Sequence, residues 1–79
     1  MPLYTYLATY KGESYIAQAR RSNPKAFPDW VEALPSELQG KVNPYDGTFE
    51  AIANRKNVWR KTVMLGGSDL LVFVIQTDG

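Results

Sequence analysis

The C-terminal third of the chain contains two runs of strand-forming residues separated by a pair of glycines. The runs, residues 57–65 and 68–77, read NVWRKTVML and SDLLVFVIQT, with Gly66-Gly67 between them. A two-residue glycine loop between such runs is typical of a tight β-hairpin, and it places Trp59 opposite Val74. Because the second run is apolar on both faces, it predicts a central strand that is covered on each side.

The N-terminal part of the chain predicts a second hairpin. Residues 3–10 (LYTYLATY) are rich in strand formers, residues 11–13 (KGE) form a turn signal, and residues 14–21 (SYIAQARR) are the return strand. Alternate residues of the first run point to opposite faces of a strand, and neither set is cleanly polar. The alternation therefore predicts a strand without indicating which of its faces meets the core.

The segment between the hairpins has the apolar spacing of a helix. Asn23 is a suitable N-cap and Pro24 a suitable first helical residue. The apolar stripe that follows consists of Ala26, Phe27, Trp30, Val31 and Leu34. Pro28 falls within the first two turns, so the helix is either kinked there or begins there. Pro35 ends it, because the residue before a proline is pushed out of helical geometry.

The rest of the connection is irregular. Residues 36–42 can form one further helical turn that ends at Gly40, residues 43–47 carry a dense loop signal, and residues 49–53 admit a short helix or an irregular stretch. The simplest fold that buries these apolar stripes is α+β. Two hairpins form one antiparallel four-stranded sheet, and one main helix packs on a face, in the order ββ-α-ββ. All 79 residues, 1–79, form one domain.

The chain contains no cysteine and no histidine. The usual ligands of zinc, copper and haem are therefore missing, and so are Ser-His and Cys-His nucleophile pairs. We expect no metal and no cofactor. A small domain without disulfides is typical of a reducing compartment such as the cytoplasm. No signal peptide and no apolar run of membrane-spanning length are expected, since the longest run is residues 70–75.

Carboxylates are the remaining candidates for acid–base catalysis. Asp29 and Glu32 lie three residues apart on the predicted helix, so their side chains are neighbours, but on its solvent side. A pair of catalytic carboxylates has to face one cleft, and a domain of this size has little room for a deep pocket. We therefore expect no catalytic residues and no enzymatic activity.

Aromatic side chains on the predicted sheet indicate a surface for a protein partner. One helix covers only one face of a four-stranded sheet, and Tyr, Trp and Arg are enriched at protein interfaces. The residues predicted to bind a partner, either a second copy of the chain or another protein, are Tyr4, Tyr6, Tyr10, Trp59 and Arg60. The alternative is that residues 49–53 fold over this face and the aromatic rings belong to the core.

Two basic clusters support a second hypothesis, a nucleic-acid-binding module. The clusters contain Arg20, Arg21 and Lys25, and then Arg55, Lys56, Arg60 and Lys61, although Arg60 and Lys61 point to opposite faces of their strand. Basic groups interleaved with aromatic rings on a sheet are typical of single-strand binding. The formal net charge is only +1, so the overall charge favours neither hypothesis.

Overall fold

A computed structural model of the chain describes residues 1–22, 29–43 and 47–78. It contains five strands in one antiparallel sheet with the order β2-β1-β5-β4-β3. The strands are β1 (Leu3–Tyr10), β2 (Glu13–Arg20), β3 (Glu50–Ala51), β4 (Val58–Leu65) and β5 (Ser68–Asp78). A 3₁₀ helix (Asp29–Ala33) and a short α-helix, α1 (Ser36–Gln39), lie between β2 and β3.

Both hairpins form as the sequence predicts. The β4–β5 pair places Trp59 opposite Val74, and Gly66 and Gly67 make the turn with positive φ angles of 59° and 83°. β5 pairs with β1 on its other side. The prediction that the apolar C-terminal strand is central is therefore confirmed.

The predicted α+β class with one main helix is wrong. The described part of the connection contains the five-residue 3₁₀ helix and the four-residue α1, and the sheet has five strands rather than four. Pro35 cannot donate the backbone bond that would continue a helix, so Leu34 closes the 3₁₀ helix with a 3.0 Å bond to the carbonyl of Val31.

The helix start predicted at Asn23 and Pro24 and the kink at Pro28 lie outside the described residues. The further helical turn is confirmed as α1, which ends against Gly40. A helix at residues 49–53 is not formed. Glu50 and Ala51 instead pair with Arg60 and Trp59 as the short strand β3.

The core lies on one side of the sheet, which we call the covered face. Trp30, Leu34 and Phe49 pack over it and are buried with it. Its buried strand residues are Tyr4, Tyr6, Ala8, Tyr10, Lys61, Val63, Leu65, Leu70, Val72 and Val74. The 3₁₀ helix contacts β1 and β2, so it covers one half of this face, and Phe49 lies over the half near β4.

Candidate functional site

A buried polar cluster connects the 3₁₀ helix to the sheet. The hydroxyl of Tyr6 donates to Asp29 Oδ2 at 3.4 Å, and Arg21 Nη2 donates to Asp29 Oδ1 at 2.9 Å. Burial, followed by the charge of Asp29 and the hydrogen bond to it, raises the pKa of Tyr6 to about 12. Tyr6 therefore remains a neutral donor at ordinary pH, and the cluster fixes the position of the helix.

The prediction that Asp29 and Glu32 form a solvent-facing pair of carboxylates is wrong. Its side chain is buried against Arg21 and Tyr6, whereas Glu32 is exposed. The two carboxylates do not share a cleft.

Lys61 is a second buried charge, although the sequence predicted it in a solvated basic cluster. Its ammonium nitrogen lies 4.6 Å from the ring centre of Trp30 and 4.8 Å from that of Phe49, and the residue is only 5% exposed. Such geometry is a cation–π contact on each ring. The signal was present, because Lys61 alternates with the core residues Val63 and Leu65 along β4.

Three of the five residues predicted to bind a partner are in the core. Tyr4, Tyr6 and Tyr10 are 4%, 0% and 8% exposed, so their rings contact the chain's own helix and strands rather than a partner. Trp59 is half-buried and packs edge-to-face on Tyr4 with ring centres 6.1 Å apart. Arg60 lies on the opposite face of the sheet. The five side chains therefore do not form one surface, and Phe49 contributes to their burial, as the alternative hypothesis expected.

The predicted basic clusters are dispersed. Arg20 pairs with Asp78 at 3.4 Å and Arg21 with Asp29, and Lys25 lies outside the described residues. Arg55 and Lys56 are exposed in the turn before β4, and Arg60 is exposed on β4. Since β2 and β4 are separated by β1 and β5, and the positions of Arg20 and Arg60 are offset by four residues along the strands, the two residues stand roughly 20 Å apart at the usual spacings. The structure does not bring the two clusters together into a basic stripe.

The described residues contain no cluster of three or more potential metal ligands and no enclosed pocket. The polar groups of Tyr6, Asp29 and Arg21 bond to one another. A candidate docking surface is the side of the sheet opposite the core.

We call this side the open face. It consists of the odd-numbered residues of β1 from Leu3 to Thr9, the even-numbered residues of β2 and β4, and the odd-numbered residues of β5. No described helix packs on it. Its apolar side chains are Leu3, Leu7, Ile16, Val58, Met64, Leu71, Phe73 and Ile75. Ile16 and Met64 are each 67% exposed, which is unusual for large apolar residues.

The apolar side chains of the open face form a continuous column and row. Leu71, Phe73 and Ile75 follow one another along the central strand, and Leu7 and Ile16 extend the row at Phe73 toward the β2 edge. Around them, Gln18 donates to the hydroxyl of Thr5 at 3.0 Å. The sequence predicted an uncovered sheet face but assigned the tyrosines to it, because the alternation in β1 does not show which set of residues meets the core.

The chain matches no protein-family model, and no curated protein or solved structure is detectably similar to it. No helix in the described ranges is long and apolar enough to cross a membrane. Fold and surface together define a small antiparallel β-sheet domain with one covered and one open apolar face.

Proposed function

We propose that this chain is a protein–protein interaction domain that forms a homodimer through its open face. The observation that carries the proposal is the column of Leu71, Phe73 and Ile75, which lies on the central strand with no described helix over it. A contiguous apolar patch on a folded domain marks an interaction site. Two such sheets pack face to face about 10 Å apart, as in a β-sandwich.

The size of the open face suits a dimer. Four strands of eight residues span roughly 20 Å by 26 Å, or about 500 Å² in projection, at the usual spacings. Two copies together bury about 1,000 Å², which reaches the lower size of a specific interface. A second copy of the same face supplies matching apolar area without a further partner.

The charges on the open face also favour a second copy of the chain as its partner. Arg60 stands opposite Glu50 of β3, and Arg20 pairs with Asp78 at a corner of the sheet. Asp69 also lies on the open face, opposite Met64, so charges of both signs surround the apolar centre and no single sign of charge repels a second copy. We place the domain in the cytoplasm, on the ground that a chain with no cysteine suits a reducing compartment.

Light scattering across a concentration series, at low and high salt, tests the proposal. The expected mass is at least twice the 8.9 kDa of one chain, with little response to salt, because apolar contact is not screened. A clean monomer at every concentration would overturn the homodimer. An assembly that dissociates steeply as salt rises would instead favour a charged partner such as nucleic acid.

Charged substitutions test whether the open face is the dimer interface. Phe73→Lys places a charge at the centre of the open face, and Met64→Lys places one at a residue already 67% exposed, where folding is not at risk. Thr48→Lys adds the same charge at an exposed residue outside the strands and is the control. We expect both open-face variants to halve the mass while the control retains it. Equal masses in all three would mean that the open face is not the interface.

A further inference from the structure

One edge of the sheet is protected from pairing with another chain, and the other edge is not. At the β4 side, β3 pairs with Trp59 and Arg60, and Gly47 lies against Lys61 and the carbonyl of Thr62. At the opposite side, β2 is the outermost strand of the sheet, and within the described ranges no strand pairs with its outer edge. An edge strand carries a row of backbone donors and acceptors that can pair with another chain.

The turn between β1 and β2 determines which residues face outward. Lys11 and Gly12 have positive φ angles of 50° and 81°, as in a two-residue type I′ turn, in which the flanking residues form a hydrogen-bonded pair. The odd-numbered residues of β2 therefore bond to β1. The 3.2 Å bond from the amide of Arg21 to the carbonyl of Pro2 continues this alternation. The backbone groups that face outward belong to Ser14, Ile16, Gln18 and Arg20.

The β2 edge lacks the usual features that prevent pairing. Its register with β1 is continuous from Glu13 to Arg20, without a bulge. It contains no proline and no lysine, and its charged residues, Glu13 and Arg20, stand at its two ends. Native edge strands are commonly protected by a bulge, a proline or a charge within the strand.

We infer that β2 of one copy pairs antiparallel with β2 of a second copy, which joins two sheets into one of ten strands. Antiparallel self-pairing brings the acidic end of each strand against the basic end of the other, whereas parallel pairing would place like charges together. Every outward-facing backbone donor and acceptor of β2 finds a partner when the two-fold axis passes through Ala17. Ser14 then opposes Arg20, Ile16 opposes Gln18, and about eight backbone hydrogen bonds form.

This edge contact is separate from the open face, so the two surfaces can be used together. The two proposals then predict different masses for different variants. At high concentration we expect four chains for the wild type and two chains for Phe73→Lys, which retains the edge. Gln18→Pro removes one outward donor and the side-chain bond to Thr5 but leaves the backbone bonds to β1 intact, so we expect two chains for this variant as well. The double variant Phe73→Lys/Gln18→Pro should be a monomer.

Amide hydrogen exchange tests the edge without a substitution. The amides of Ser14, Ile16, Gln18 and Arg20 should exchange rapidly in dilute protein and at least tenfold more slowly in concentrated protein. The amides of Tyr15, Ala17 and Ala19 face β1 and provide the internal control, because they should be protected at both concentrations. Rapid exchange of the outward amides at every concentration would overturn the edge contact. If, in addition, Phe73→Lys still lowered the mass, the protein would form the open-face dimer without the edge contact.

Discussion

The hydroxyl of Tyr10 donates a 2.6 Å hydrogen bond to the backbone carbonyl of Leu65. Tyr10 is the last residue of β1 and Leu65 the last of β4, so the bond crosses the start of the central strand and connects the ends of the two hairpins. Residues 55 positions apart are thereby held together at one end of the sheet.

Removing this hydroxyl should destabilise the domain. Tyr10→Phe retains the ring but leaves the carbonyl of Leu65 without its buried donor, and we expect the free energy of unfolding to fall by about 1–2 kcal/mol. Urea unfolding measures the change, with Tyr15→Phe at a half-buried position as the matched control. Equal losses in both variants would show that the bond to Leu65 contributes nothing specific.

The side chain of Lys61 should stabilise the fold through its stem as well as its charge. Lys61→Ala removes the carbons that pack beside Gly47 and the cation that meets Trp30 and Phe49. Lys61→Met retains most of that volume. We expect the alanine variant to lose about 2 kcal/mol more than the methionine variant in urea unfolding, because truncation leaves a cavity.

Arg60→Ala is the control for this pair, because Arg60 is the exposed neighbour on the other face of β4. Its effect should stay within about 0.5 kcal/mol, as is usual for surface substitutions. A loss at Arg60 as large as that at Lys61→Ala would mean that Lys61 is not a core residue.

The stability of the domain should fall at alkaline pH because of Tyr6. Its pKa rises from 10.0 to about 12 on folding, owing to burial and to Asp29, so the unfolded chain releases this proton at lower pH than the folded one. The contribution of Tyr6 to the free energy of unfolding is fully present below pH 10. It is lost as the pH rises to about 12, at about 1.4 kcal/mol per pH unit. Unfolding in urea at several pH values should show a shallower decline in Tyr6→Phe. Parallel declines in the two proteins would contradict the assignment.

Two glycines should respond in opposite ways to alanine. Gly67 has a φ of 83° and Gly40 a φ of −74°, and a methyl group would meet no atom within 4 Å at either. Only backbone conformation distinguishes them. Gly67→Ala should lower the free energy of unfolding by about 1 kcal/mol or more, while Gly40→Ala should be neutral or stabilising by about 0.5 kcal/mol. Thermal unfolding of the two variants side by side measures the difference.

The two hairpins could be predicted because their signals are local. Gly66 and Gly67 supply the positive φ angles of a two-residue turn, and strand-forming runs flank them, so the register of Trp59 opposite Val74 follows by counting. The central position of β5 also follows from its sequence, since residues 70–75 are apolar on both faces and such a strand is poorly suited to a solvated edge.

The connection between the hairpins could not be predicted with the same success. Trp30, Val31 and Leu34 have the spacing of an α-helical stripe, yet the described segment is a short 3₁₀ helix, because a proline limits how far a helix can continue. Phe49 has no local signal for its position over the sheet. It is buried because it packs over the part of the covered face beside Lys61 of β4.

The sequence alone determined the four long strands, their turns and the lack of cysteine and histidine chemistry. Only the tertiary structure decided which face of each strand is covered. In β1, tyrosine and alanine alternate with leucine and threonine, so the hydrophobic gain from burying either set is similar. The choice depends on Trp30, Leu34 and Phe49, which reach the sheet from distant parts of the chain. Once they bury Tyr4, Tyr6 and Tyr10, the opposite face remains available to a partner.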